Sequence, residues 1–100
     1  MTIASIKEAL SKDNPDAYIY DDLDEAIIGL VHKDNGSILA YSFTACIGIF
    51  MERDSMSLED ALDYFYFNVA GLILGENQPM IVDDSILFLG EDNVSINDSS

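Results

Sequence analysis

Two apolar runs flank the tetrapeptide Lys33-Asp34-Asn35-Gly36, and no other feature of the sequence restricts the fold as tightly. Ala26-Ile27-Ile28-Gly29-Leu30-Val31-His32 is rich in β-branched residues, and Ser37 to Tyr41 can return beside it. Asn-Gly readily takes up positive φ, which a tight hairpin turn demands. A central β-hairpin is therefore expected, and the other elements must pack around it.

Apolar spacing predicts helices on both sides. Thr2 can cap a first helix over about residues 3–12, with Ile3, Ile6 and Leu10 on one stripe. Asn14-Pro15-Asp16 ends it, because proline lacks a donor and pushes its predecessor out of the helical region. Ala17 to Tyr20 alternates weakly and is read as a short strand. Ser42 is the expected N-cap of a second helix running to about Arg53, with Phe43, Cys46, Ile47 and Phe50 on one face. Ser57-Leu58-Glu59-Asp60 resembles a capping box, with Asp in the place usually held by Glu, and opens a third helix to about Leu74. Pro79 to Val82 reads as a strand, residues 86–89 as another, and residues 91–100 as a frayed acidic tail. The order gives α+β: a small antiparallel sheet on a central hairpin, packed against two or three helices, as a single domain over residues 1–90.

The third helix is apolar nearly all round. Leu58, Leu62, Phe65, Val69 and Ile73 make its main stripe, and Tyr64, Phe67 and Leu74 lie roughly opposite. Such a pattern fits a central helix between the sheet and another helix. That reading is preferred; the alternative is an exposed aromatic patch, available to a partner or to a second copy of the chain.

Charge narrows the function. Nineteen acidic residues face four Lys and Arg, for a net charge of -15, while 49% of residues are apolar. That much apolar material separates the chain from disordered acidic segments. A surface of this sign repels nucleic acid and anionic lipid, so neither is an expected partner. The single cysteine, Cys46, rules out an intramolecular disulfide and reads as a small core residue. One histidine, His32, gives no base for a nucleophilic pair, and no zinc set or Gly-rich phosphate loop occurs. No cofactor is expected. Asp21, Asp22, Asp24 and Glu25 have the oxygen ligands a hard divalent cation takes, but they do not match a calcium-loop pattern, and no metal site is assigned. With no basic segment ahead of an apolar run at the start, the expected location is cytoplasmic.

The run Met51-Glu52-Arg53-Asp54-Ser55-Met56-Ser57-Leu58-Glu59-Asp60-Ala61 is followed by Asp63-Tyr64-Phe65, Phe67-Asn68, Gly71, Gly75-Glu76 and Pro79. Together with Asp24-Glu25-Ala26-Ile27-Ile28-Gly29, it resembles a group of small proteins encoded by tailed phages and other viruses. The resemblance covers about residues 22–82. It departs at Ser42-Phe43-Thr44, where a more polar helix start is expected. It implies viral origin, residence in the cytoplasm of the infected cell, and no catalytic residues.

The expected function is accordingly non-enzymatic. An acidic viral accessory protein would bind a host protein with a basic surface, as a DNA mimic or an inhibitor of host defence. The residues expected to meet that partner are Asp21, Asp22, Asp24, Glu25, Asp83, Asp84, Glu91 and Asp92. The alternative places recognition or homodimerisation on Tyr64, Phe67 and Leu74. A divalent-metal enzyme built on Asp21 to Glu25 is the third and least favoured reading.

Overall fold

In the computed structural model, residues 2–72 and 75–85 are described. The elements follow as α1 (Ile3–Asp13), β1 (Ile27–Val31), β2 (Ile38–Ser42), α2 (Phe43–Arg53), α3 (Leu58–Phe65) and β3 (Met80–Val82). The class is α+β, and the hairpin is its centre: β1 and β2 pair antiparallel, with Val31 opposite Ile38 and Ile27 opposite Tyr41. The sheet order is β1-β2-β3. β3 runs parallel to β2, Ala40 beside Met80 and Ser42 beside Val82, so the sheet is mixed and not wholly antiparallel. The cause is the connection: α2 and α3 together return the chain to the end of the sheet where β2 began, and a helical crossover yields a parallel neighbour.

The hairpin turn closes where expected, Gly36 N–H donating to Lys33 O at 3.2 Å. Positive φ falls on Gly36 (116°) and not on Asn35. Gly36 is also fixed by crowding, since a Cβ there would lie 2.9 Å from the Asn14 side chain. Asn14 is buried where α1 ends, and its amide donates to Ser37 O at 2.9 Å and to Asn77 Oδ1 at 3.0 Å. One side chain thus joins α1, the hairpin and the loop before β3. In β1 a bulge between Ile27 and Gly29 turns Ile28 outward, leaving it 54% exposed.

Residues 17–20 form no strand. Their amides find other partners: Tyr18 N–H donates to Asn77 O at 3.0 Å and Tyr20 N–H to Tyr41 Oη at 3.0 Å. The segment is tied down by a loop and a side chain instead of by a ladder. Expected strand residues 86–89 and the tail from residue 91 lie outside the described residues.

The core gathers Leu10 of α1, Leu39 and Tyr41 of β2, Cys46 and Phe50 of α2, and Ala61 and Phe65 of α3, all 2% exposed or less. Phe43 meets Phe65 edge-on at 5.0 Å, which locks α2 to α3. All three helix starts carry the expected caps: Thr2 Oγ1 accepts from Ser5 N–H, Ser42 Oγ from Ala45 N–H and Ser57 Oγ from Asp60 N–H. The third helix departs from expectation in two ways. Leu58, placed on the main stripe, is 55% exposed, so deep burial begins only at Ala61. Beyond Phe65 the chain widens into a π-helical segment, Tyr66–Ala70, ending at Gly71. A Cβ on Gly71 would stand 2.6 Å from Tyr66 O, so only glycine fits that exit. Ile73 and Leu74 lie outside the described residues.

Ser42 is the joint of the whole arrangement. It closes β2, caps α2, and donates its hydroxyl to Asp84 Oδ2 at 2.6 Å. Asp84 Oδ1 also accepts from Thr44 N–H at 3.0 Å and Thr44 Oγ1 at 2.9 Å. The carboxylate therefore holds the segment after β3 against the first turn of α2, where the helix dipole favours negative charge. Asp84→Ala is expected to lower stability by about 2 kcal/mol, the scale of a lost helix cap with charged hydrogen bonds. A urea midpoint unchanged from the parent would refute the assignment.

Candidate interaction surface

Asp21 and Asp22 form a turn that drops Leu23 into the core, at 3% exposure, and leaves both carboxylates in water. Asp22 adopts a left-handed conformation (φ 60°), which Asp tolerates better than most residues. Its carbonyl then accepts from Arg53 Nη1 at 2.6 Å. Arg53 stands in the last turn of α2, where a cation suits the helix dipole. Its Nε and Nη2 also grip Asp54 Oδ1 and Oδ2 at 3.2 and 3.1 Å.

Three shallow hollows meet at Arg53. One, of about 310 Å³, is lined by Asp22, Asp24, Glu25 and Arg53. A second, of about 350 Å³, adds Ile49 and Glu52 to Glu25 and Arg53. The third, of about 260 Å³, is a cleft with Tyr18, Tyr20, Phe50 and Tyr64 in its walls beside Asp21 and Asp22. Tyr64 leans edge-on against Phe50 at 4.9 Å and is 42% exposed. The face thus combines open carboxylates with aromatic walls, which together suit cationic side chains.

The four cations of the chain are already engaged by its own oxygens. Lys7 Nζ lies 2.6 Å from Asp24 Oδ2, Lys12 Nζ 3.8 Å from Glu8 Oε2, and Lys33 Nζ 2.7 Å from Glu76 O, with Arg53 held as above. Asp24 therefore sits on this face partly neutralised by Lys7. Among the described residues, no Lys or Arg pairs with the carboxylates of Asp21, Asp22, Glu25 or Glu52.

The structure does not bring Asp83 and Asp84 to the same place. Asp83 Oδ1 accepts from Ser85 N–H and Oγ at 3.1 and 2.7 Å, a local turn. Asp84 is bound at the start of α2, whereas Arg53 ends that 11-residue helix, roughly 15 Å along its axis. Glu91 and Asp92 lie outside the described residues. Tyr64 belongs to the aromatic cleft, but Phe67 stands apart from that cleft's lining and is 81% exposed. Beside Phe67 is Tyr66, 57% exposed, which sequence reasoning passed over. Tyr18, Glu52 and Arg53 were also missed as surface partners of Asp21 to Glu25. For Glu52 and Arg53 the only signal was their identity, because the fold alone joins residues this far apart in sequence, whereas Tyr18 stands three residues before Asp21. Among the described residues no three His, Cys, Asp or Glu side chains converge as metal ligands do.

The buried titratable groups show what the core tolerates. Burial, reinforced by the nearby Asp84 charge, pushes the Cys46 thiol up to about 11. Burial pushes Tyr41 up to about 12 against the opposing hydrogen bond from Tyr20. At Asp84, burial raises the pKa, but the hydrogen bonds from Ser42 and Thr44 together outweigh it and the carboxyl ends below its usual range. Hydrogen bonds from Ser37 hold Asp13 low in the same way, and those from Arg53 do so for Asp54.

No protein-family model, curated protein or solved structure matches this chain. Among the described residues no helix is long and apolar enough to cross a membrane.

Two outcomes follow from these charges. Lowering pH from 7 toward 5 relieves self-repulsion and is expected to raise the thermal midpoint. Asp84 and Asp13 have folded pKa values below their unfolded ones, so their stabilisation is present above about pH 4 and is lost as pH falls through the folded values. A scan should therefore peak at mildly acidic pH; a midpoint still rising at about pH 3 would contradict this. Cys46, with its raised pKa and full burial, should resist iodoacetamide at about pH 8 and react only after denaturant is added.

Proposed function

We propose that this chain is a non-enzymatic acidic accessory protein, of the viral kind its sequence resembles, that binds a host protein through that protein's basic surface. The observation that carries the reading is the Arg53 face. Three carboxylates, those of Asp21, Glu25 and Glu52, stand there without an ion pair among the described residues, next to the open ring of Tyr64, while that of Asp22 feels the Arg53 charge only at longer range. A partner carrying several Lys or Arg side chains would supply the missing counter-charges. DNA presents a negative charge every ~1.7 Å of axis, so a surface shaped to hold it also attracts a compact acidic domain. Competition with nucleic acid for that surface is the mode of action this implies, and inhibition of a host DNA-binding or defence protein is its consequence.

Capture of a partner from host lysate, eluted by salt and displaced by duplex DNA, is the expected result. At about 0.5 M salt the Debye length is only ~4 Å, so most of the captured protein should be released. The paired variant Glu25→Lys with Glu52→Lys should reduce capture at least tenfold while leaving the fold intact, because both side chains are exposed. Retention that is indifferent to salt and to these substitutions would defeat the reading. A second reading rests on Phe67, whose 81% exposure is the largest of any large hydrophobic residue described. Under it, Phe67→Glu would abolish partner capture or self-association with a stability change within about 0.5 kcal/mol, and the Glu25/Glu52 pair would not matter.

A further inference from the structure

A different hollow runs between α2 and α3. It holds about 420 Å³, and Phe43, Ile47, Met51, Leu58 and Leu62 supply its apolar walls. Gly48 also lines it, and an added Cβ there would meet nothing within 4 Å. Met51 and Leu58 stand at its rim, 39% and 55% exposed. The wall residues recur one helical turn apart, and from Phe43 to Met51 they follow α2 for roughly 12 Å. That length takes two large apolar side chains spaced one turn apart on a partner helix.

The border of this groove is acidic. Successive helical residues lie about 100° apart around the axis. Ala61 and Phe65, both in the core, flank the Leu58/Leu62 row on one side, so Glu59 and Asp63 flank it on the other. Both carboxylates are exposed, and among the described residues neither pairs with a Lys or Arg. The four cations of the chain are held by other oxygens. Charge then selects the occupant. A second copy would set one chain of net charge -15 against another, and an anionic lipid surface would meet the same repulsion. A basic segment is attracted instead.

From these observations we infer that the α2–α3 groove binds a short amphipathic basic helix of a partner protein. Two of its apolar side chains enter between α2 and α3, and Lys or Arg beside them face Glu59 and Asp63. The inference rests on the basic partner proposed above and names the element by which that partner is held.

The probe is a synthetic Leu/Lys peptide of about 14 residues, its leucines at i, i+3, i+4 and i+7, titrated against the full-length protein. The expected result is saturable binding, about tenfold or more tighter than that of a scrambled peptide of the same composition. A Leu/Glu counterpart should not bind. Gly48→Leu fills the groove and should weaken binding by a similar factor, whereas Gly48→Ala should leave it unchanged. Each replaces a glycine inside α2 with a better helix former, so both should fold with thermal midpoints at or above that of the parent. Absence of binding, equal binding of the scrambled or Leu/Glu peptide, or an affinity that Gly48→Leu leaves unchanged would overturn the inference. So would a dimer that forms as concentration rises and dissociates in Gly48→Leu, which gives the groove to a second copy. Binding seen only when Leu87→Ser and Phe88→Ser are combined would also overturn it, by giving the groove to the chain's own residues. Whole-protein capture, read by salt and duplex DNA, tests the basic partner separately, so either idea can fail alone.

Discussion

The hydroxyl of Ser42 is where three parts of the molecule are made to agree. As the end of β2 it fixes the strand beside β3; as the cap of α2 it sets the direction in which the helix leaves the sheet. Asp84 then grips the same hydroxyl and the next turn from the far side of the crossover. A parallel strand pair has no short turn to set its register. Here a carboxylate on one strand's continuation and a hydroxyl on the other's supply a register mark that backbone pairing over three residues would supply only weakly.

Much of this was legible from residue order because local chemistry decides local structure. Thr2, Ser42 and Ser57 cap where their side-chain oxygens can reach back to the helix, and a single sequence displays that. The hairpin was readable for the same reason. What local chemistry does not contain is the partner of an extended segment. Tyr18 and Tyr20 lie in a segment without regular structure, and their amides go to Asn77 and to a tyrosine hydroxyl, so no strand forms. The sense of β3 was equally hidden, because it depends on how two helices return the chain and not on Met80, Ile81 or Val82 themselves.

The acidic surface was legible as a quantity and only in part as a place. Asp21 to Glu25 form one face, but the neighbours that give the face its character, Glu52 and Tyr64, arrive from α2 and α3. Asp83 and Asp84 look equivalent to that cluster in sequence, yet the Asp84 carboxylate is bound at the other end of α2 and that of Asp83 closes a local turn with Ser85. Counting charges cannot distinguish a carboxylate that caps a helix from one that faces water, because the distinction lies in which donors the fold brings within 3 Å.

The widened turn at Tyr66–Ala70 has its own consequence. A π turn seats one more residue between its bonded ends than an α turn does, so this stretch carries a surplus residue that the core does not demand. Tyr66 and Phe67 sit on that surplus, with Gly71 as the narrow gate where ordinary spacing would have to resume. Chain length sets where the bulge lies, while contacts of the Tyr66 ring with Phe43 and Phe65 hold that ring in place. Exchanging one ring for another would change what the bulge displays, whereas taking out a single residue would remove the display itself.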